Sequence, residues 1–217
     1  MYMFVNECTL YNYADDNSLS HIAPTVDEVI ASLQTDGHRV TQWFTDNGMQ
    51  ANPDKFQFMI ISSDDNGAHS LTLNESTVIV SEKHVKVLGV VIDCKLNFSL
   101  HVSSICKKAA RQLNALARIS NYLDVSARRL IYNSFVASNF NYCPLVWHFC
   151  GATNSNKIEK IQQRCLRIIY KDYESSNEKM LEMANTTTLV ISRLRFLLLE
   201  VFKSIHHLNP KCISDLF

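Results

Sequence analysis

The alternation of apolar and polar positions in the first half of the chain predicts short strands and one long helix. Residues 4–13 and 19–22 have the pattern of two strands, and the Ala-Asp-Asp-Asn tetrad between them favours a turn. Thr25 followed by Glu28 has the spacing of a capping box, so a helix is expected to begin there. Its apolar residues recur at helical spacing, and Gly48 is expected to end it.

Further strands precede a change of period to a helical one. Expected strands cover residues 56–61 and 85–92, and a hairpin is expected from residues 71–73 and 77–80 around a turn at residues 74–76. From about Asn97 the apolar period lengthens from two residues to about 3.6, which predicts helices. The expected helices cover residues 99–120, 125–138, 155–171 and 189–208. The fold class is therefore expected to be α+β, with an all-α portion after a boundary near residues 93–98.

The formal charge of zero hides a strong asymmetry along the chain. Residues 1–94 carry four cations and thirteen acids, a net charge of −9. Residues 95–171 carry twelve cations and only Asp124 and Glu159 as acids, a net charge of +10, and residues 172–217 carry −1. A basic block in a neutral chain suggests a polyanionic partner, although a solvated helical face would explain the same counts.

Two of the expected helices separate apolar from basic residues. At about 100° per residue, the apolar positions of each helix fall on one side and its cations on the other. The basic side carries Lys107, Lys108, Arg111 and Arg118 in the first helix, and Lys157, Lys160, Arg164, Arg167 and Lys171 in the second. Solvated helices usually mix both signs to gain pairs one turn apart. The pattern therefore favours a surface for nucleic-acid phosphates over an ordinary solvated face.

Several classes of protein are disfavoured by composition. No apolar run reaches about 18 residues, so no membrane-spanning helix is expected, and residues 1–10 lack the basic start of a secretory signal. The seven cysteines include no Cys-x-x-Cys pair, which favours reduced thiols in an intracellular protein. Cys143, His148 and Cys150 have zinc-ligand side chains, but their spacing and apolar neighbours favour buried thiols instead.

Asp15 and Asp16 adjoin at the tip of the first expected hairpin. At a turn both carboxylates can approach one point, whereas neighbours on a regular strand face opposite sides. A cation relieves their repulsion, and Mg²⁺ prefers carboxylate oxygens together with substrate phosphates. In nucleotidyl transfer two such ions flank the attacking and leaving oxygens. An exposed Asp-Asp-Asn turn without metal is the alternative, and the tetrapeptide alone does not decide between them.

Motifs around this pair extend the pattern. Residues 13–16, Tyr-Ala-Asp-Asp, resemble the Y/F-x-D-D box of reverse transcriptases. Trp43 and residues 47–55, Asn-Gly-Met-Gln-Ala-Asn-Pro-Asp-Lys, resemble the W…NGL-x-LNP-x-K segment of the enzymes of non-LTR (LINE-type) retrotransposons.

The resemblance continues in the same order along the chain. Residues 88–93, Leu-Gly-Val-Val-Ile-Asp, with Leu96 and His101 are similar to the LGV-x-LD…L…H segment that leads out of the palm in that family. Segments that resemble its helical thumb and connection are residues 129–132, 142–147 and 157–168. Several motifs in register are far more specific than the Asp-Asp pair alone.

The resemblance implies roles for particular residues. Asp15 and Asp16 would be ligands of catalytic Mg²⁺, and Lys55 would be the palm lysine near the incoming deoxynucleotide triphosphate, a candidate proton donor to pyrophosphate. The basic helices would be thumb surfaces that hold an RNA template paired with a DNA primer. Contacts to nucleic acid are expected from Tyr13, Lys107, Lys108, Arg111, Arg118, Lys160, Arg164 and Arg167. The same analogy implies a nuclear or cytoplasmic location and no membrane partner.

The resemblance also implies a fragment. The family's palm has a further metal-binding aspartate on an earlier strand, with fingers before it, and twelve residues precede Tyr13 here. We therefore expect a partial palm at residues 1–95, a helical thumb at residues 96–175 and a helical extension at residues 176–217, which together do not polymerise DNA alone. A non-catalytic nucleic-acid-binding module and a helical protein-interaction domain remain as alternatives.

Overall fold

The chain divides into two compact units in a computed structural model that describes residues 5–62, 67–73 and 77–214. The first unit is Met1–Leu96 and the second is Asn97–Phe217. Among the described residues, all strands lie in the first unit together with one long helix, and the second unit is helical. The fold is thus a mixture of antiparallel strand pairs and helices, as an α+β class requires.

The first unit begins with the expected hairpin. Strand β1 (Thr9–Tyr13) pairs antiparallel with strand β2 (Asp16–Ser20), and Ala14 and Asp15 form the turn. The second strand begins three residues earlier than the sequence predicts, because a two-residue turn brings even polar residues into the ladder. The predicted start of the first strand, at Phe4, lies outside the described residues, and residues 5–8, which were predicted in the same strand, are not in it.

Helix α1 (Val26–Asp46) follows, and the predicted capping box is confirmed at its start. The Thr25 hydroxyl accepts from the Glu28 backbone N–H, and the Glu28 carboxylate accepts from the Thr25 N–H, each at 3.3 Å. The helix is uninterrupted at Gly37, where a β-carbon would meet the side chain of Leu73. The absence of a side chain there lets the next hairpin pack directly against α1.

That hairpin consists of β3 (Ser70–Leu73) and β4 (Thr77–Val80), in antiparallel register. Its predicted turn at residues 74–76 lies outside the described residues. The apolar core of the unit has four buried residues, Phe58, Leu71, Leu73 and Ile79. Half-buried residues pack against them, Ile30 and Leu33 from α1 and Phe56 and Ile60 from the segment before the hairpin.

Two sequence-based predictions in this unit are wrong. Residues 56–61 do not form a strand; only Phe58 makes an isolated bridge to Ser81, and the run is apolar because it packs into the core. The predicted single strand at residues 85–92 is a second tight hairpin, of β5 (His84–Val87) and β6 (Val90–Asp93). The described strands therefore form three separate two-stranded sheets.

The second unit contains helices of very different length. Those described are α2 (Ser99–Ile119), α3 (Val125–Ile131), α4 (Ser138–Asn141), α5 (Pro144–Trp147), α6 (Ala152–Tyr170), α7 (Asn177–Met183), α8 (Leu189–Ile205) and α9 (Lys211–Ser214). The helix predicted at residues 125–138 is a composite, because a π-helical stretch, Tyr132–Ala137, joins α3 to α4. The short helices α5 and α7 were not predicted by the apolar period, which needs more than two turns to show.

Helix α6 is the centre of this unit, and α2, α3, α7 and α8 all pack on it. Its apolar side is buried at Ile158, Cys165 and Ile169, as the helical projection predicts. Trp147 is fully buried and its indole N–H donates to the Tyr142 carbonyl at 3.1 Å. No helix in the described part of the chain is long and apolar enough to cross a bilayer.

Candidate nucleic-acid interface

The two candidate metal ligands lie at the tip of the β1–β2 hairpin. Asp15 occupies the turn and Asp16 is the first residue of β2, directly opposite Tyr13 in the register. All three side chains are exposed, and Tyr13 is 68% exposed. Ala14 has a φ of 53°, in the left-handed region that costs an L-residue about 1–2 kcal/mol. The tip is therefore held in a strained, tight turn that presents both carboxylates to solvent.

A buried carboxylate holds the chain that enters this hairpin. Asp36 of α1 is fully buried and accepts the backbone N–H groups of Asn6, Glu7 and Cys8 at 3.2, 2.8 and 2.7 Å. The Arg39 guanidinium donates to it at 2.7 Å. Burial raises the pKa of the Asp36 carboxyl, but the four donors outweigh burial and lower that pKa from 3.8 to about 2. Sequence reasoning missed this residue, since its partners lie about 30 positions away.

Lys55 is not joined to the aspartates by any direct contact. It ends a short 3₁₀ turn, Pro53–Lys55, which Asn52 caps by accepting the Asp54 N–H at 3.0 Å. Its side chain is exposed, and among the described residues it makes no ion pair with Asp15 or Asp16. The described residues also contain no group of three or more His, Cys, Asp or Glu side chains that could hold a metal ion. The carboxylate pair thus offers two hard oxygen ligands without a third from the described part of the chain.

The basic residues lie mainly along the contact between α2 and α6. Three side-chain hydrogen bonds cross this contact, and a later residue of one helix always binds a later residue of the other. The bonds run from Asn154 Nδ2 to Ser99 Oγ at 2.9 Å, from Arg164 Nη2 to Asn114 Oδ1 at 2.8 Å, and from Lys171 Nζ to Asn121 Oδ1 at 3.0 Å. Because residue numbers rise in the same direction on both sides, α2 and α6 run parallel. Their two basic sides therefore meet along one line, which we call the α2–α6 seam.

Exposed cations line both sides of the seam. They are Lys107, Arg111 and Arg118 on α2, and Lys157, Lys160, Arg164 and Lys171 on α6. At 3.6 residues per turn, the α2 cations lie within about 80° of Asn114 around the helix axis, and the α6 cations lie within about 80° of Arg164. Asn114 and Arg164 are the residues that join the two helices. The structure therefore joins two stripes that the sequence shows separately into one continuous basic surface.

Two of the predicted contact residues are not among the exposed cations of the seam. Lys108 is exposed but lies on the flank of α2 that carries Gln112, whose side chain accepts from Asn139 of α4 at 2.7 Å. Arg167 lies about 60° from Arg164 around α6, on the seam side. It is half-buried, however, and donates to the Tyr173 carbonyl at 3.4 Å in the loop that follows α6.

The only two acids of the basic segment are occupied as helix caps. Asp124 accepts the Ala127 N–H at 2.7 Å and caps α3. Both oxygens of Glu159 accept N–H groups at the start of α8, from Leu189 at 3.2 Å and Val190 at 2.7 Å. A carboxylate at a helix N-terminus is stabilised by the unpaired N–H groups and the helix dipole. Both negative charges are thus engaged by backbone N–H groups at helix N-termini.

Two arginines of this unit are buried and bind groups inside the protein, which sequence reasoning did not identify. Arg128 is buried and donates to the Ile168 carbonyl at 3.0 Å, which ties α3 to α6. Arg193 is 2% exposed, donates to Ser155 Oγ at 2.9 Å, and lies 5.1 Å from the centre of the Trp147 ring. Because they are buried, neither arginine can contact nucleic acid at the surface. Their burial alone distinguishes them from the seam cations, and the local sequence does not reveal it.

Cys143, His148 and Cys150 flank the buried Trp147 in the sequence. Cys150 is buried, and the other two are half-buried. Burial, and secondarily the nearby Arg193 charge, lowers the pKa of His148, while burial raises the pKa of the Cys150 thiol. Both groups are therefore neutral at neutral pH, in keeping with packed side chains around Trp147.

Curated proteins are similar in sequence to about three quarters of this chain. A curated "Probable RNA-directed DNA polymerase from transposon BS" of Drosophila melanogaster is 24% identical over 168 residues, 74% of this chain and 18% of the relative. The "RNA-directed DNA polymerase from mobile element jockey" is 26% identical in Drosophila funebris, over 75% of this chain, and 26% identical in Drosophila melanogaster, over 72%. This chain is similar to RNA-directed DNA polymerases of mobile elements.

The similarity to these polymerases supports the motif resemblance at the level of the family. The chain spans less than a fifth of the relatives' length, 17–18% in each case. No family model matches the chain. No solved structure matches it either.

Proposed function

We propose that the chain is part of an RNA-directed DNA polymerase of the non-LTR retrotransposon type, and that its second unit holds an RNA–DNA hybrid along the α2–α6 seam. The observation that carries this proposal is the seam itself, where exposed cations from two parallel helices meet and the nearest acids serve as caps. In these terms residues 1–95 are the palm part, residues 96–175 the thumb, and residues 176–217 a helical extension packed on it.

The spacing of the seam cations suits the backbone of a duplex. Lys157, Arg164 and Lys171 are separated by seven residues each, which corresponds to about 10 Å along a helix. Duplex nucleic acid carries about one charge for every 1.7 Å of its axis, so cations at this spacing find phosphates without base-specific geometry. Recognition through phosphates and the shape of the hybrid is sequence-independent, as copying an arbitrary template requires.

The first unit supplies the proposed chemical groups. Asp15 and Asp16 would hold Mg²⁺, whose remaining ligands would be substrate phosphates, water or a further carboxylate. When bound, Mg²⁺ supplies stabilisation of the charge that develops on phosphate oxygens during nucleotidyl transfer. Lys55 would place its ammonium near the triphosphate of the incoming nucleotide, and Tyr13 would lie beside the primer terminus.

A binding experiment tests the seam. In a fluorescence anisotropy titration with a short RNA–DNA hybrid, Lys107→Glu with Lys160→Glu is expected to weaken binding by well over ten-fold, because two attractions become repulsions. The matched control is Lys83→Glu with Lys86→Glu, which makes the same charge change at exposed positions of the first unit. Equal losses in both pairs would leave only a non-specific charge effect and would contradict the proposal.

A second candidate is a nucleic-acid-binding module without catalysis, which the exposed cations of the seam support equally because phosphate binding needs no metal site. Asp15→Asn separates the two. The polymerase proposal predicts that Mg²⁺ strengthens hybrid binding by the native chain and that Asp15→Asn removes this effect. The module predicts binding that is indifferent to both changes. A helical protein-interaction domain predicts no hybrid binding at all.

A further inference from the structure

The C-terminal ends of α2 and α6 form an aromatic and basic surface distinct from the length of the seam. Because the two helices run parallel, both end on the same side of the unit, and the bond from Lys171 Nζ to Asn121 Oδ1 joins the ends at 3.0 Å. Tyr122 follows Asn121 directly, and Tyr173 lies two residues beyond Lys171. The two tyrosines, 51 positions apart in sequence, thus lie at the same end of the unit.

Both rings are exposed in a way that packing does not explain. Tyr122 is 88% exposed and Tyr173 is 64% exposed. Among the described residues neither ring stacks on another, and neither hydroxyl makes a hydrogen bond. Burying an aromatic ring is among the largest single apolar gains available to a fold, so two rings left in solvent at the same end of the unit suggest an external contact.

The backbone that carries the rings is nevertheless fixed. Tyr122 ends a 3₁₀ turn, Ser120–Tyr122. The Ser120 hydroxyl donates to the Ala117 carbonyl at 2.8 Å. The loop of Tyr173 is closed by Asp172, which accepts the N–H groups of Glu174 and Ser175 at 3.1 and 2.9 Å. The rings are therefore presented on held turns.

The surrounding charge suits a phosphate backbone. Arg118 and Lys171 are exposed there, and Arg167 contacts the Tyr173 carbonyl. The acids nearby are Asp124, which caps α3, Asp172, whose carboxylate is engaged by its own loop, and the exposed Glu174. Cations on the helix side and rings on the loop side are the combination that binds single-stranded nucleic acid, since every base offers a face for stacking.

We propose that Tyr122 and Tyr173 form a stacking site for the bases of an unpaired nucleic-acid strand, with Arg118 and Lys171 on its phosphates. The proposal extends the proposed function, because an unpaired strand continuing from a hybrid held at the seam would reach this end. It also stands without the seam, as a site for a free single strand.

The test compares three oligonucleotides in anisotropy titrations of the full chain: a blunt RNA–DNA hybrid, the same hybrid with an unpaired RNA overhang, and the free single strand. Tyr122→Ala with Tyr173→Ala is expected to weaken binding of the overhang hybrid and of the single strand by roughly ten-fold for each ring, and to leave the blunt hybrid unchanged. The double phenylalanine variant keeps both rings and is expected to bind as the native chain does.

Phe149→Ala is the matched control, because that ring is 76% exposed elsewhere in the same unit. The proposal is overturned if the overhang brings no gain in affinity, if the alanine variant keeps that gain, or if Phe149→Ala reduces it equally. Failure of the proposed function would give a different result. In that case, charge reversal at the seam would leave the affinity for the blunt hybrid unchanged.

Discussion

Replacing Asp36 by asparagine removes the negative charge that holds residues 6–8 against α1. The carboxylate accepts three backbone N–H groups and one guanidinium N–H, and these donors hold its pKa at about 2, against 3.8 without them. At 1.36 kcal/mol per pKa unit, this difference corresponds to about 2 kcal/mol of stability of the first unit near neutral pH. Asp36→Asn is expected to lose about that amount.

The pH dependence has a definite sign. Because the pKa of Asp36 is lower in the folded state, the stabilisation is complete above about pH 5 and is lost as the pH falls through 4 towards 2. The stability difference between the native chain and Asp36→Asn is therefore expected to be largest at neutral pH and to shrink near pH 2. The same loss should accelerate hydrogen exchange at the Glu7 and Cys8 amides, which the carboxylate protects.

Urea titrations followed by the amide NMR signals of α1 measure this difference at each pH. Asp46→Asn is the control, since Asp46 is an exposed aspartate of the same helix whose contact is to the Gln42 side chain. A stability difference for Asp36→Asn that stays the same at neutral pH and near pH 2 would refute the reasoning. So would unchanged exchange at Glu7 and Cys8.

Three further predictions concern other parts of the chain. Ala14→Gly should stabilise the first unit by about 1 kcal/mol in urea unfolding, because glycine tolerates the left-handed φ of 53°; a destabilised variant would show that the turn is not strained. Burial lowers the pKa of His101 and His148 in the folded state. The stability of the second unit should therefore fall as the pH drops below about 6.5. Replacing both histidines by glutamine should flatten this pH dependence, measured by unfolding followed through Trp147 fluorescence. Glu159→Ala should lower the thermal stability of the second unit by about 1–2 kcal/mol through loss of the α8 cap, whereas an unchanged melting temperature would show that the cap contributes nothing.

The parts of the fold that follow from local rules could be predicted from the sequence. The capping box at Thr25 and Glu28 and the apolar sides of α2 and α6 depend on residues within a few positions of each other. The second tight hairpin could not be predicted in this way. Its turn needs a positive φ at Leu88 as well as at Gly89, and leucine gives no signal for that conformation.

The polar contacts that hold the candidate sites in place were also beyond local reasoning. Asp36 lies among the apolar positions of α1 in a helical projection, whereas Glu159 lies on a polar flank of α6. Nothing local shows that each accepts backbone N–H groups about 30 positions away. The parallel course of α2 and α6 likewise depends on tertiary packing. Helical spacing alone shows two basic stripes, and only the bonds to Asn114 and Asn121 reveal that the stripes share one seam.

The salt dependence of hybrid binding tests the central claim most directly. The slope of log affinity against log salt counts the phosphates that a protein neutralises. Replacing Lys107, Arg111 and Lys160 by glutamine should reduce the magnitude of that slope by about three, one for each cation. Glutamine at Lys83 and Lys86 of the first unit, which have no part in the proposed sites, should leave the slope nearly unchanged. Equal slopes for the native chain and the seam variant would contradict the account.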